Sequence, residues 1–243
     1  MVLAGGGARG AYEAGVLRFI LGDLPLRLGR TIAPDVISGT SVGAINGSYI
    51  GAWIGQPQGA HKLSELWRGM TLDRIYRFEA MDILRSPLRL MRGTNNEQTG
   101  LVDATPLHQL IHERFPWREL HDNLDHGHLK GLAIAATEAV SGKSILFSDG
   151  FIVPGQHFQT ARSRCVTTRI TAEHVLASCA IPFVFPPIPI DKRSYVDGGL
   201  RQNTPLLPAI RMGASHCLVI GTKGLLEPAV AETLTDDESS VTL

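Results

Sequence analysis

The feature that most constrains the fold of this chain is a serine between two glycines, at the junction of an apolar strand and an uncharged helix. The five residues at positions 39–43, Gly39-Thr40-Ser41-Val42-Gly43, fit the pattern G-x-S-x-G. A predicted strand at residues 34–38 precedes them, and a predicted helix of small residues follows. A strand that reverses sharply into a helix needs glycines here, because bulkier side chains would collide with either element. The pattern alone is weak, but its context favours a nucleophile over a structural turn, since the helix N-terminus places N–H groups beside the serine.

Short apolar runs alternate with helical stretches along the rest of the chain. This alternation predicts an α/β fold with a mainly parallel central sheet flanked by helices. A first helix is predicted to carry Ala14, Leu17, Arg18 and Leu21. The predicted strands are one ending at Ala4 and others at residues 34–38, 132–136, 145–147 and 217–220.

A glycine-rich loop closes the first predicted strand. Gly5, Gly6, Gly7, Arg9 and Gly10 lie within six residues, between that strand and the first helix. Consecutive glycines let N–H groups point into one small cavity, which suits an oxyanion. The same residues also fit G-x-G-x-x-G, the pattern of a dinucleotide loop, but no acidic ribose ligand ends a clear second strand. A tight turn would explain one or two of these glycines and not all four.

An aspartate follows a short predicted strand near the other end of the chain. Asp197 comes directly before Gly198 and Gly199. Asp-Gly is usually a turn, but a buried aspartate can act as the general base for a serine. His216 is the one histidine that follows Asp197, and it stands at the start of a predicted strand. The sequence therefore favours a Ser–Asp dyad over a Ser–His–Asp triad.

Composition excludes several classes of function. The chain has 243 residues, 44% of them hydrophobic and 19% charged, which is typical of one large globular domain. Its formal net charge is zero, which argues against nucleic acid as the main partner. Its three cysteines have no CxxC spacing, so we expect reduced thiols, no metal site and a cytoplasmic protein.

Two stretches bear on contact with membranes. Residues 36–60 carry no charge and are long enough to span a bilayer, but their polar residues, glycines and Pro57 favour a buried helix. The first ten residues do not resemble a signal peptide. We therefore expect no transmembrane segment, with membrane contact limited to the periphery.

Three ordered motifs together resemble those of the patatin-like phospholipases. The family pattern consists of G-G-G-x-[KR]-G, then G-x-S-x-G, then D-G-[GA], which here are residues 5–10, 39–43 and 197–199. Residues 177–182, 185–187 and 203–206 are also similar to the family, so the resemblance extends to about Gly221. Three motifs in order are far more specific than any one of them.

The resemblance implies a three-layer α/β sandwich that hydrolyses fatty-acyl esters of phospholipids or other lipids, with no cofactor and no metal. Ser41 would attack the ester carbonyl, and Asp197 would accept its proton. The N–H groups of Gly6 and Gly7, with Val42, would hold the oxyanion, and Gly5 belongs to the same oxyanion-hole loop. Arg9 stands where the family has a basic residue, and would stabilise either the glycine loop or a substrate phosphate. The remaining supporting positions are Gly10, Gly39, Gly43, Gly198 and Gly199.

The resemblance also defines the expected domain and partners. Residues 1–230 are predicted to form the patatin-like acyl hydrolase domain, and residues 231–243 an acidic disordered tail or linker. Both ends look cut, so an additional domain in a longer chain stays open, and so does a homo-oligomer. The expected partner is a lipid or membrane-surface substrate. Residues 68–100 read as an insertion or a pair of helices outside the sheet.

Two segments are candidates for contact with lipid. The apolar, proline-rich stretch at residues 181–190 fits an acyl groove and a packed connection equally well. Residues 81–92 interleave Leu, Met and Arg, but Pro87 interrupts a single helix, so a solvated face is favoured over a membrane-binding one. The alternatives to a lipid hydrolase are a general carboxylesterase or acyltransferase, a nucleotide-binding module and, disfavoured by the intact Ser41 and Asp197, a silent scaffold.

Overall fold

The computed structural model of the chain describes residues 1–70, 104–150 and 159–224. These residues form one eight-stranded sheet with helices on both faces. The strands are β1 (Val2–Leu3), β2 (Val36–Thr40), β3 (Gly131–Glu138), β4 (Ser144–Gly150), β5 (Ser163–Thr167), β6 (Ile188–Ile190), β7 (Arg193–Asp197) and β8 (Val219–Ile220).

The helices lie between the strands in chain order. The first, α1, continues through a π-helical segment at Arg18–Asp23 into α2, and short 3₁₀ turns occupy Gly7–Arg9 and Gly198–Leu200. The α-helices are α1 (Gly10–Leu17), α2 (Leu24–Leu28), α3 (Val42–Ala52), α4 (Pro57–Gly69), α5 (Thr105–Arg114), α6 (Trp117–Asp125), α7 (Ala172–Cys179) and α8 (Leu206–Arg211).

The sheet is mainly parallel, as the sequence predicts. Its strand order is β5-β4-β3-β2-β1-β8, and β7 pairs with β3 and β6. Within the described ranges, the pairs β1–β2, β1–β8, β2–β3 and β4–β5 are parallel. The pairs β3–β4, β3–β7 and β6–β7 are antiparallel. The three-layer α/β fold predicted from the sequence is therefore confirmed, with antiparallel pairs that the sequence analysis did not predict.

Side-chain alternation along the strands divides the core into two layers. On β3, Leu132, Ile134 and Ala136 belong to the larger cluster, which includes residues of α3 and α7. Ala133 points to the opposite face, into a smaller cluster with Ala209 of α8. Since successive side chains of a strand point to opposite faces, each layer of helices covers one side of the sheet. Every residue of β3 is buried, as expected for a strand covered on both faces.

Helix α3 is buried along its whole length, in agreement with the prediction for the uncharged stretch at 36–60. Its small residues allow this close packing. A Cβ added to Gly47 would lie 2.8 Å from Ile37 Cγ2, and one added to Gly51 would lie 2.8 Å from Leu120 Cδ1. None of the helices in the described ranges combines the length and the apolar character needed to cross a bilayer.

Some boundaries differ from the predicted ones. The second strand begins at Val36, two residues later than predicted, and continues to Thr40. β5 and β6 were not predicted, because β5 is half exposed and β6 is short and contains a proline. Residues 81–92 and the acidic tail at 231–243 lie outside the described residues, as does the 68–100 segment beyond its first three residues.

Candidate active site

Ser41 occupies a strained turn between β2 and α3. Its φ of 53° and ψ of −123° lie in a region that non-glycine residues rarely adopt. A Cβ on Gly39 would overlap the backbone of Gly43, and one on Gly43 would overlap the backbone of Leu3. Both glycines are therefore required by direct backbone contact, as the pattern predicts. Only 8% of Ser41 is exposed, so the serine lies in a recess at the end of β2.

Two sets of hydrogen bonds fix the position of Ser41. Its N–H donates to Ser178 Oγ at 2.8 Å, and that hydroxyl donates to the carbonyl oxygen of Ala135 at 2.6 Å. The Ser41 carbonyl accepts the N–H groups of Ala44 and Ile45 at 2.8 and 3.2 Å, which closes the first turn of α3. The N-terminus of α3, with its positive dipole end, is thus anchored at the serine.

Asp197 lies at the end of β7, close enough to the Ser41 hydroxyl for that group to affect its pKa. Its N–H donates to the Ala180 carbonyl at 2.8 Å, and its Oδ1 accepts the Gly199 N–H at 2.6 Å. Burial raises the pKa of the Asp197 carboxyl above 3.8, while hydrogen bonds from Ser41 and from the Gly199 N–H partly offset that rise. A Cβ on Gly198 would overlap the Ala135 backbone, so this glycine is needed for β7 to end beside β3. The structure thus brings Ser41 and Asp197 together.

The glycine loop lies against the nucleophile turn. A Cβ on Gly5 would lie 2.5 Å from Asn203 Oδ1 and 3.4 Å from Ser41 Cβ. The Gly5 N–H donates to the Asn203 carbonyl at 2.9 Å, so it is already engaged. In the part of the chain that is described, the N–H groups of Gly6 and Gly7 donate no hydrogen bond. These two groups, rather than that of Gly5, are available as oxyanion donors.

The rest of the loop is held in place by side chains from distant segments. The Gly5 carbonyl accepts bonds from Asn203 Nδ2 at 3.2 Å and from Thr222 Oγ1 at 2.5 Å. Gly7 has a φ of 56° and open space around it. Arg9 is exposed, and its Nε donates to the Gly6 carbonyl at 3.4 Å, a contact within the loop itself.

A buried polar network beneath the loop was missed by the sequence analysis. Asn46 Nδ2 donates to the Gly10 carbonyl at 3.1 Å and to Glu13 Oε2 at 3.0 Å, and Trp67 Nε1 donates to Asn46 Oδ1 at 2.7 Å. Glu13 is fully buried, its Oε1 has no hydrogen-bond partner, and burial raises its pKa to about 7. The network joins α1, α3 and α4 directly behind the glycine loop and Ser41. The sequence feature that could have indicated this network is a glutamate, Glu13, within the otherwise uncharged first turns of α1.

Ser178, Asn203 and Thr222 are also contacts that the sequence analysis did not assign. Ser178 and Asn203 lie in stretches that resemble the family, but Ser41 and Gly5, which they bind at the site, are 137 and 198 positions away in sequence. His216 is exposed, and its Nδ1 lies 3.0 Å from Ser215 Oγ. Across the three described ranges, no group of three or more His, Cys, Asp or Glu residues could hold a metal ion.

Comparison with known proteins identifies a family and several structurally similar chains. The family model described as patatin-like phospholipase matches residues 1–210. The crystal structure of VipD from Legionella pneumophila matches with a TM-score of 0.43 and 15% sequence identity, over 81% of this chain and 45% of that chain. This chain therefore covers less than half the length of that solved chain. The comparison with curated proteins found no match.

Proposed function

The chain belongs to the patatin-like phospholipase family, a family of lipid hydrolases, and on this premise we propose that it cleaves fatty-acyl esters through a dyad of Ser41 and Asp197. The observation that carries the proposal is the proximity of the two side chains. A serine in a strained strand–helix turn lies close enough to a buried aspartate for its hydroxyl to lower the aspartate pKa, which burial raises. A nucleophile within hydrogen-bonding reach of a base is the arrangement that acyl transfer to serine requires.

Acylation begins with attack of Ser41 Oγ on the ester carbonyl carbon. As the O–C bond forms, the hydroxyl proton passes to the Asp197 carboxylate. The carbonyl oxygen becomes an oxyanion facing the N–H groups of Gly6, Gly7 and Val42. When the tetrahedral intermediate collapses, the alcohol leaves with the proton from Asp197, and the fatty acyl group remains on Ser41.

Deacylation repeats the same chemistry with water. Asp197 accepts a proton from a water molecule, whose oxygen attacks the acyl-enzyme carbonyl. A second tetrahedral intermediate forms in the same oxyanion hole. Its collapse returns the proton to Ser41 and releases the fatty acid. Asp197 therefore acts as base and then as acid in each half-reaction.

The surroundings of Asp197 favour its role as base. A carboxylate in water is a weak base, and burial makes the charged form less favourable and hence more basic. General acid–base catalysis contributes roughly 10² to 10⁴ in rate, and one oxyanion donor about 3–4 kcal/mol. The bond from the Gly199 N–H keeps the carboxylate oriented towards Ser41.

The segment after α7 supports a lipid substrate. The Ala180 carbonyl is bonded to the Asp197 N–H, so residues 181–190 start directly beside the dyad. Phe185 and Ile188 are buried in the core, whereas Phe183 is 85% exposed and Ile181 is 40% exposed. The inner side chains form the packed connection, and the outer ones offer an apolar rim for a lipid chain or a membrane surface.

Labelling with a fluorophosphonate probe tests the dyad. We expect wild-type protein to be labelled, Ser41→Ala to be unlabelled and Asp197→Asn to be labelled far more slowly. Ser48→Ala is the matched control, because this serine lies on α3, the helix that begins directly after Ser41, and its buried hydroxyl has no hydrogen-bond partner. Labelling that persists in a folded Ser41→Ala protein would falsify the assignment of the nucleophile.

Hydrolysis assays then separate a lipid hydrolase from a general esterase. A long-chain phospholipid in vesicles and a short-chain soluble ester are compared at equal concentrations. A lipid hydrolase gives a higher kcat/KM on the phospholipid. A preference for the short soluble ester would indicate a general carboxylesterase. It would also contradict the interpretation of the exposed side chains in residues 181–190 as an apolar rim for lipid.

A further inference from the structure

A large cleft opens at the same end of the strands as Ser41. It has a volume of about 690 Å³, within the range of roughly 300–1,000 Å³ found for ligand sites. Its walls are the β3–β4 turn, the start of β5, the segment after Asp197 and helix α8. Leu146 and Pro208, both buried, form its apolar base.

The lining of this cleft is strongly cationic. Its described lining contains neither aspartate nor glutamate. The chain as a whole has a formal net charge of zero, so the concentration of positive charge is local. The cationic side chains are Lys143, Arg162, Arg164, Arg201 and Arg211.

Internal carboxylates neutralise little of this charge. Among the described residues, Lys143, Arg162, Arg164 and Arg201 form no ion pair. Glu138 interacts electrostatically with Arg164, but its carboxylate already accepts hydrogen bonds from Ser141 and Arg193. The basic groups therefore face the cleft with much of their charge uncompensated.

One arginine of the cleft is oriented by a hydrogen bond to the backbone. Arg201 Nε donates to the Gly142 carbonyl at 2.8 Å, which fixes its guanidinium across the mouth of the β3–β4 turn. A guanidinium held in this way loses less conformational freedom when it binds an anion. Its planar fork matches the oxygens of a phosphate group.

The cleft is connected to the dyad without being part of it. Gln202, in its wall, accepts a hydrogen bond at its carbonyl from Thr40 Oγ1 at 2.7 Å, and Thr40 directly precedes Ser41. Neighbouring strands are about 4.8 Å apart, so the β4 side of the cleft lies on the order of 10 Å from β2. The cleft is thus a separate site facing the same surface as the nucleophile.

We propose that this cleft binds a ligand with clustered phosphate groups. Several cations around a volume of this size suit several negative charges rather than one. Such phosphates occur on a soluble polyphosphate and on the headgroups of an anionic lipid surface. The ligand is recognised through its charge and its phosphate oxygens, and its binding does not require Ser41 or Asp197.

Two probes distinguish the sources of phosphate. Calorimetric titration with tripolyphosphate at low salt measures binding of a soluble ligand. Co-sedimentation with phosphatidylcholine vesicles, with and without phosphatidic acid, measures binding to a lipid surface, and a Ser41→Ala background keeps the vesicles intact. We expect binding to at least one anionic probe, weaker binding to phosphatidylcholine alone than to vesicles with phosphatidic acid, and weakening of the anionic binding as salt rises.

The informative variant is Lys143→Gln with Arg162→Gln. Both side chains are exposed and make no side-chain hydrogen bond to a described residue, so the fold should be unaffected. We expect roughly tenfold weaker binding of the anionic probe, since a charge-assisted contact contributes on that scale. Arg164→Gln, a single change in the same wall, should weaken binding in the same direction. Arg30→Gln, an exposed arginine outside the cleft, is the matched control and should bind like wild type.

The binding results distinguish a soluble ligand, a lipid headgroup and an incorrect proposal. Tripolyphosphate binding that depends on the cleft residues supports a soluble ligand. Vesicle binding that depends on them, without tripolyphosphate binding, supports a lipid headgroup. The proposal is wrong if neither probe binds, if the cleft variants bind like wild type, or if Arg30→Gln weakens binding equally. None of these binding results depends on hydrolysis. Failure of this proposal is therefore distinguishable from failure of the proposed hydrolase function, which the labelling experiment tests separately.

Discussion

Replacing Glu13 by Gln should change the pH dependence of stability more than any other single substitution behind the glycine loop. Glu13 is fully buried, its pKa is raised from 4.5 to about 7, and burial is the main cause. Asn46 Nδ2 donates to its Oε2 at 3.0 Å, which lowers the pKa but does not offset the burial. The folded protein therefore holds a proton that the unfolded chain has lost.

The sign and size follow from proton linkage. Between pH 4.5 and 7 the folded state binds one more proton than the unfolded state, so stability falls as pH rises through this window. With these two pKa values, the loss is about 1 kcal/mol at pH 5 and about 3 kcal/mol at pH 8. Glutamine does not titrate, so wild type should lose about 2 to 3 kcal/mol relative to Glu13→Gln between these pH values.

Urea unfolding of both proteins at pH 5, 6, 7 and 8 measures this difference. Other titrating groups contribute equally to both proteins, so subtraction isolates Glu13. Glu65→Gln, at an exposed position of α4, is the matched control for the replacement of a glutamate by glutamine. A constant difference between wild type and Glu13→Gln across the range would refute the argument, since it would mean that Glu13 titrates alike in both states.

Three further predictions test the geometry of the site. Ser178→Ala should lower stability by about 1–3 kcal/mol in urea unfolding, because it leaves the Ser41 N–H without its buried acceptor. Gly10→Ala should lower the melting temperature, since its Cβ would overlap neighbouring side chains, at a cost of about 1–3 kcal/mol. Gly15→Ala on the same helix has open space and should raise stability by about 0.5–1 kcal/mol, so a loss there would contradict the packing argument. The acid limb of the kcat/KM profile should lie above pH 3.8, because burial raises the pKa of Asp197; a limb at or below that value would argue against this base.

Much of the fold could be predicted because its signals are local. The apolar run of β3 is entirely buried, and the uncharged α3 is buried on all sides, so composition alone identifies both as central elements. β5 gave no such signal, since its residues are half exposed and carry an arginine and a cysteine among small polar groups. The β3–β4 hairpin turns through Gly142 at a φ of 64°, but a lone glycine in a polar turn does not determine strand direction.

The candidate site also contains some residues that local sequence patterns indicate and others whose contacts depend on the tertiary fold. Ser41 and Asp197 could be named because glycines, required by backbone contact, surround them in the sequence. The Gly5 N–H was expected in the oxyanion loop, but its bond to the Asn203 carbonyl depends on a segment 198 residues away. Ser178 likewise acts through Ala135 and Ser41, which only tertiary packing brings together.

The glycine loop depends on the last described strand as much as on its own glycines. The Gly5 carbonyl is held by Asn203 and by Thr222, and Thr222 lies two residues after β8, which pairs in parallel with β1. A Cβ on Gly6 would collide with the Thr222 side chain, so this threonine also defines the space beside the loop. Thr222 lies beyond residue 210, where the family match ends. The geometry of the glycine loop is therefore completed by a segment outside the matched region, and the three motifs are necessary for the site without being sufficient to build it.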